Sequence, residues 1–175
     1  YALARLDFPG KGIVTGIILA ASMFPGIALV TPLFQLFGDL GWIGTYRAMI
    51  IPNISFALPL TVYTLISFFQ QLPWELEEAA RVDGATRGQA FRLVLLPLAA
   101  PAIFTTAIIA FITTWNEFML ARQLSNTSTE PVTVAIARFS GPSAFEYPYA
   151  AIMAAGSLVT VPLIIMVLIF QRRIV

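Results

Sequence analysis

The chain carries four apolar stretches, at about Ile13 to Phe37, Ala48 to Phe69, Leu98 to Leu120 and Tyr149 to Phe170, each close to the roughly 20 residues that cross a hydrocarbon core. In 175 residues so divided, too little polar sequence remains to surround the apolar surface with a hydrated shell. Charged residues make up 11%, against about 25% in soluble domains, and the mean hydropathy is +0.84. The bilayer is therefore the expected solvent. Backbone groups inside it must pair within the chain, which predicts an all-α polytopic helical bundle of about four transmembrane helices, forming one domain over 1–175.

The basic residues give the orientation. Arg5, Lys11, Arg81, Arg87, Arg92, Arg172 and Arg173 fall on one side of the spans, and Arg47, Arg122 and Arg138 on the other. Seven against three assigns the first set to the cytoplasm. A net charge of +1, with arginines scattered between spans, excludes a nucleic-acid partner. Without cysteine or histidine there is no disulfide, thiolate nucleophile or imidazole metal site. The chain opens Tyr1-Ala2-Leu3-Ala4-Arg5, without a methionine or a cleavable leader, and reads as a portion of something longer.

Prolines interrupt the spans. Pro25-Gly26 and Pro32 are expected to tilt or kink the first, and Pro52 and Pro59 lie inside the second. Pro25-Gly26 reads either as a hinge or as a fixed kink.

Between the second and third spans the composition changes. Gln70 to Gly84 holds four of the chain's nine acids, outside the bilayer core. Pro73 suits a first helical turn, the acids after it complement the positive end of the helix dipole, and Gly84 suits a C-terminal cap. Thr86 and Gln89 have capping-box spacing, and Phe91, Leu93 and Val94 give a second apolar face expected to stop at Pro97. The segment 71–97 therefore reads as helix, glycine turn, helix. A helix lying on anionic lipid would be rich in Lys and Arg, whereas this one opens with Glu75, Glu77 and Glu78, which favours a protein partner with a basic cleft.

Glu78-Ala79-Ala80, three residues, Gly84, nine residues, Val94, one residue, then Leu96-Pro97 resembles the E-A-A-x3-G-x9-I-x-L-P pattern of bacterial ABC-importer permeases, departing only in Val94 for isoleucine. Arg5 to Lys11, Asp83-Gly84-Ala85-Thr86 and Trp115-Asn116-Glu117-Phe118 are similar to the carbohydrate importers of the maltose type, and 170–175 to trehalose-importing members. The resemblance covers nearly the whole chain. It implies a type I ABC-importer permease fold of six helices, of which the last four are present. It also implies a multi-pass place in the bacterial inner membrane and translocation of a sugar, such as trehalose, maltose or a short oligosaccharide, by alternating access. On the same ground the implied partners are a cytoplasmic ABC ATPase dimer, a second homologous permease and an extracytoplasmic sugar-binding protein or lipoprotein. ATP and Mg²⁺ would be held by the ATPase, leaving no cofactor and no enzymatic step in this chain. Glu78, Ala79, Ala80, Asp83, Gly84, Leu96 and Pro97 would couple to it, with Glu78 accepting hydrogen bonds from a partner arginine.

Other residues carry two readings. Trp115, Asn116 and Glu117, with Asn53, line a sugar path on one reading. On the other, Trp115 belongs to an interfacial aromatic belt and Glu117 pairs with Arg122. Counting about 1.5 Å per residue from Leu98 places Glu117 about 28 Å along, near the outer surface. Ser55, Thr61, Tyr63 and Thr64 line a channel or act as interhelical glue. The loop 125–148, with Arg138, Phe139, Glu146 and Tyr147, is expected to face outward, where an external binding protein is a candidate contact that no motif specifies. No G-x-x-x-x-G-K-[ST] loop is present, so ATP is hydrolysed elsewhere. A secondary transporter or channel is the competing class, but the spans lack the mid-membrane ionisable relay common there.

Overall fold

A computed structural model describes residues 1–139 and 148–170, and within these every regular element is helical. In chain order they are α1 (Ala2–Arg5), α2 (Lys11–Ser22), a 3-10 turn (Gly26–Leu29), α3 (Val30–Asp39), α4 (Tyr46–Gln71), α5 (Glu75–Val82) and α6 (Arg87–Ala90). A π turn (Phe91–Leu95), α7 (Leu96–Trp115), α8 (Met119–Leu124), α9 (Val132–Ala137) and α10 (Tyr149–Phe170) follow.

Helix α4 has 26 residues and so runs about 39 Å, enough to cross a hydrocarbon core about 30 Å thick. It keeps Pro52 and Pro59 inside, both buried. The third crossing runs unbroken for 29 residues from Arg87 to Trp115, and α10 provides another of 22. Between Lys11–Ser22 and Gly26–Asp39 the chain bends by 87°. The expected kink at Pro25-Gly26 is thus a full break. Lys11 and Thr15 line a groove with Gln70 and Ile66 near the end of α4, while Gly26, Ile27 and Val30 face Asn53, Phe56 and Ala57 further up. Helix α2 and the 3-10 turn therefore lie against α4, while α3 leaves at nearly a right angle and packs on α8. Pro32 sits in the first turn of α3, where its missing N–H leaves no bond unmade.

Two expected boundaries move. The helix does not stop at Pro97. Instead the chain widens into the π turn, with the Leu96 amide reaching back to the Phe91 carbonyl. Pro97 has no N–H to return to Leu93, and its ring would press on that carbonyl in an α-turn, so the wider turn accommodates it. The third span ends at Trp115 and not at Leu120, because Asn116 and Glu117 bond back to Ile112 and Thr114 and close the helix.

Helices α4 and α7 pack along their length, burying Pro52, Pro59, Thr106 and Ile108, and a further cluster forms at each end. Phe37, Ala48, Leu120 and Leu124 form a buried cluster at the outer end, with Trp42 stacked on Phe37 at 5.7 Å. At the inner end the rings of Tyr1, Phe69 and Phe91 meet at 4.8 to 6.3 Å. Helix α10 has no buried residue.

Candidate functional site

The inner-end segment is built as helix, reversal, helix. Helix α5 starts at Glu75 with Trp74 as its cap, so Pro73 stands just outside the first turn it was expected to occupy. Glu75, Glu77 and Glu78 lie in that turn and Arg81 in the last, which suits the helix dipole at both ends. Termination is a Schellman turn: the Ala85 amide donates to the Ala80 carbonyl and the Gly84 amide to that of Arg81, with Gly84 at φ +91°. Thr86 then opens α6 through a reciprocal capping box, its hydroxyl accepting from the Gln89 amide while the Gln89 side chain accepts from the Thr86 amide.

The two faces of α5 differ. Glu77 is 6% exposed and accepts the Tyr1 hydroxyl at 2.8 Å. Burial, and then this hydrogen bond, hold the Tyr1 phenol above its ordinary value. Glu78, Ala79, Asp83 and Gly84 are exposed, with Ala80 half-buried behind them. Val82 is 87% exposed, an apolar side chain standing in solvent on the same short helix. Among the described residues Glu78 has no ion pair; those formed are Lys11 with Asp7 and Arg138 with Glu130. Of the expected set, Leu96 and Pro97 do not share this surface. They sit past the π turn, at the start of α7.

The outer set is only partly brought together. Asn53 and Glu117 line a cavity of about 290 Å³ with Thr113 and Thr114. They also line an adjoining one of about 500 Å³ with Trp115. Asn116 lines neither, and its amide bonds back to the Ile112 carbonyl. The pairing of Glu117 with Arg122 is not formed. The Glu117 oxygens accept the Leu120 and Ala121 amides at 2.8 and 2.9 Å, capping α8, while the Arg122 guanidinium lies 5.8 Å from the Phe118 ring. Ser55, Thr61 and Ser67 hydroxyls bond to carbonyls four residues earlier in α4, so the helix satisfies them itself. Glu146, Tyr147 and Arg172 and Arg173 lie outside the described residues.

Sequence reasoning missed Arg5, Trp74 and Val82. Arg5 is 5% exposed and donates to the carbonyls of Phe69 and Leu72, 64 and 67 residues away, a separation at which no local pattern signals it. Val82 did carry a signal, as a β-branched apolar residue on the polar face of an acidic helix.

These features define a polytopic helical membrane protein with a charged helix-turn-helix between two of its spans. Over residues 1–175 the chain matches the family described as the binding-protein-dependent transport system inner membrane component, and it belongs to that family of permeases. It is 52% identical to the trehalose transport system permease protein SugB of Mycobacterium tuberculosis, covering 100% of this chain and 64% of that protein. It is 43% identical to the trehalose/maltose transport system permease protein MalG of Thermococcus litoralis, over 100% of this chain and 63% of that one. The diacetylchitobiose uptake system permease protein NgcG of Streptomyces coelicolor is 36% identical, over 99% and 58%. The chain thus spans about three-fifths of the length of these relatives.

Proposed function

We propose that this chain is the membrane core of a permease subunit that imports a sugar by alternating access, driven by a separate ATPase docked on α5. The observation that carries this reading is the outward face of α5. Glu78, Ala79, Val82 and Asp83 are exposed together, an acidic and apolar surface with no partner among the described residues, ended by the Schellman turn at Gly84. A basic cleft lined by an arginine is its chemical complement, because Glu78 accepts charge-assisted bonds and Ala79 lets a partner backbone come close. The ATPase, present as a dimer, binds ATP and Mg²⁺. A second permease completes the pore, and an external binding protein or lipoprotein delivers the sugar.

The substrate class rests on the relatives, which are named for trehalose, maltose and diacetylchitobiose. A disaccharide or short oligosaccharide is therefore the proposed cargo. Within this chain the Asn53 amide and the Thr113 and Thr114 hydroxyls, lining one cavity beside Glu117 and next to Trp115, supply hydrogen-bonding groups and an aromatic face of the kind that holds sugar hydroxyls. Asn116 is left out of this path because it lines neither cavity.

The test is copurification of the full-length subunit with its ATPase and second permease, for wild type and Glu78→Lys. Stoichiometric ATPase on the wild type, with the second permease kept but ATPase and uptake lost in Glu78→Lys, supports docking on α5. Wild-type ATPase retention and uptake in Glu78→Lys would rule it out.

A further inference from the structure

Arg5 is the most buried charge at the cytoplasmic end, and no carboxylate pairs with it among the described residues. Its Nε donates to the Phe69 carbonyl at 2.8 Å and its Nη2 to that of Leu72. Both carbonyls belong to the end of α4, where the helix leaves acceptors unpaired and presents the negative end of its dipole. The guanidinium also lies 4.4 Å from the centre of the Trp74 ring, and Trp74 is the cap from which α5 starts. One side chain thus caps the second span, covers the cap of α5 and, through α1, leads within five residues into α2. A purely apolar corner would hold these elements without a buried charge. A planar fork fixes their angles as well.

The path continues. Helix α2 runs to the 3-10 turn, whose Gly26 and Ile27 wall the cavity that contains Asn53 and Glu117. We propose that Arg5 is a positioning residue that makes α1, α5 and the end of α4 one rigid body, so that displacement of α5 drives α2 and the 3-10 turn instead of being absorbed at the Leu72-Pro73 corner. The Tyr1 to Glu77 hydrogen bond is a second tie between the same two elements. This inference rests on the docking role proposed for α5.

The test uses the full complex in lipid, with Arg5→Lys and Arg5→Ala, reading sugar imported per ATP hydrolysed. In parallel, spin labels at Ala2→Cys and Glu75→Cys report the α1 to α5 distance; both positions are exposed, and residues 1–175 contain no native cysteine. In wild type the distance stays narrow and unchanged through the nucleotide cycle. Arg5→Lys keeps the charge but not the fork, so it is expected to assemble, hydrolyse ATP, broaden the distance distribution and lower import per ATP by about fivefold or more. A merely structural anchor would lower import and hydrolysis together. An unchanged ratio and a narrow distance in Arg5→Lys overturn the proposal, and that variant decides the matter if Arg5→Ala fails to assemble. Gly84→Val run alongside separates the two ideas. If it imports normally, the role of α5 fails; if it does not while Arg5→Lys does, only Arg5 fails.

Discussion

Gly44 and Asn126 are packed so closely that a Cβ on Gly44 would stand 2.3 Å from the Asn126 Nδ2 and 3.2 Å from its Cβ. Gly44 also sits at φ +78°, its amide donates to the Leu124 carbonyl at 2.8 Å, and its own carbonyl accepts the Thr129 hydroxyl. The turn before α4 and the loop after α8 are thereby one unit at the outer end. Gly44→Ala is expected to destabilise the protein by about 1–3 kcal/mol through left-handed strain and the clash together. Asn126→Ala in the same chain should recover part of the loss. Thermal unfolding of the four members of this double-mutant cycle checks it, and purely additive losses would contradict the packing account.

The Glu117 carboxylate serves α8 as an N-terminal cap. Glu117→Ala should destabilise by about 1–2 kcal/mol, with Glu117→Gln in between because one acceptor remains. If thermal stability is untouched while the sugar concentration for half-maximal uptake rises, the carboxylate is a sugar contact and the cap is incidental.

Pro97 is accommodated by the π turn at Phe91–Leu95. Pro97→Ala restores an N–H and removes the ring, which favours an ordinary α-turn and changes the rotation of 87–95 relative to α7. The expected outcome is intact assembly with less sugar imported per ATP, read in proteoliposomes. Hydrogen exchange should show stronger protection at 93–97, and unchanged exchange would mean the wide turn has another cause.

The crossings were legible because length and apolarity alone specify a bilayer span: α10 begins where the composition does, and α4 differs by two residues at each end. The capping box at Thr86 and Gln89 and the reversal at Gly84 were legible because each is local chemistry within five residues. What was not legible depends on distance or on competing local rules. At the 87° bend a Cβ on Gly26 would come within 3.5 Å of the Phe56 ring, a long-range approach that a proline alone does not announce. Pro97 read as a stop because proline usually ends a helix, whereas here a wider turn absorbs it. Glu117 read as either a sugar-path residue or a partner of Arg122; its capping of α8 was not legible, since the amides that satisfy it exist only once α7 has ended.

The central claim is that α5 and its reversal at Gly84 transmit the work of a partner ATPase. A Cβ at Gly84 would meet nothing within 4 Å, so a side chain there acts through the backbone: left-handed φ costs a non-glycine residue about 1–2 kcal/mol and displaces the outward face. The most direct measurement is sugar uptake and ATP hydrolysis by the full-length subunit, reconstituted with its partners, for wild type and Gly84→Val. The account predicts an assembled complex in which uptake is lost or reduced by at least about tenfold, equivalent to about 1.4 kcal/mol of lost coupling. Uptake at the wild-type rate would show that the chain moves its cargo without this segment.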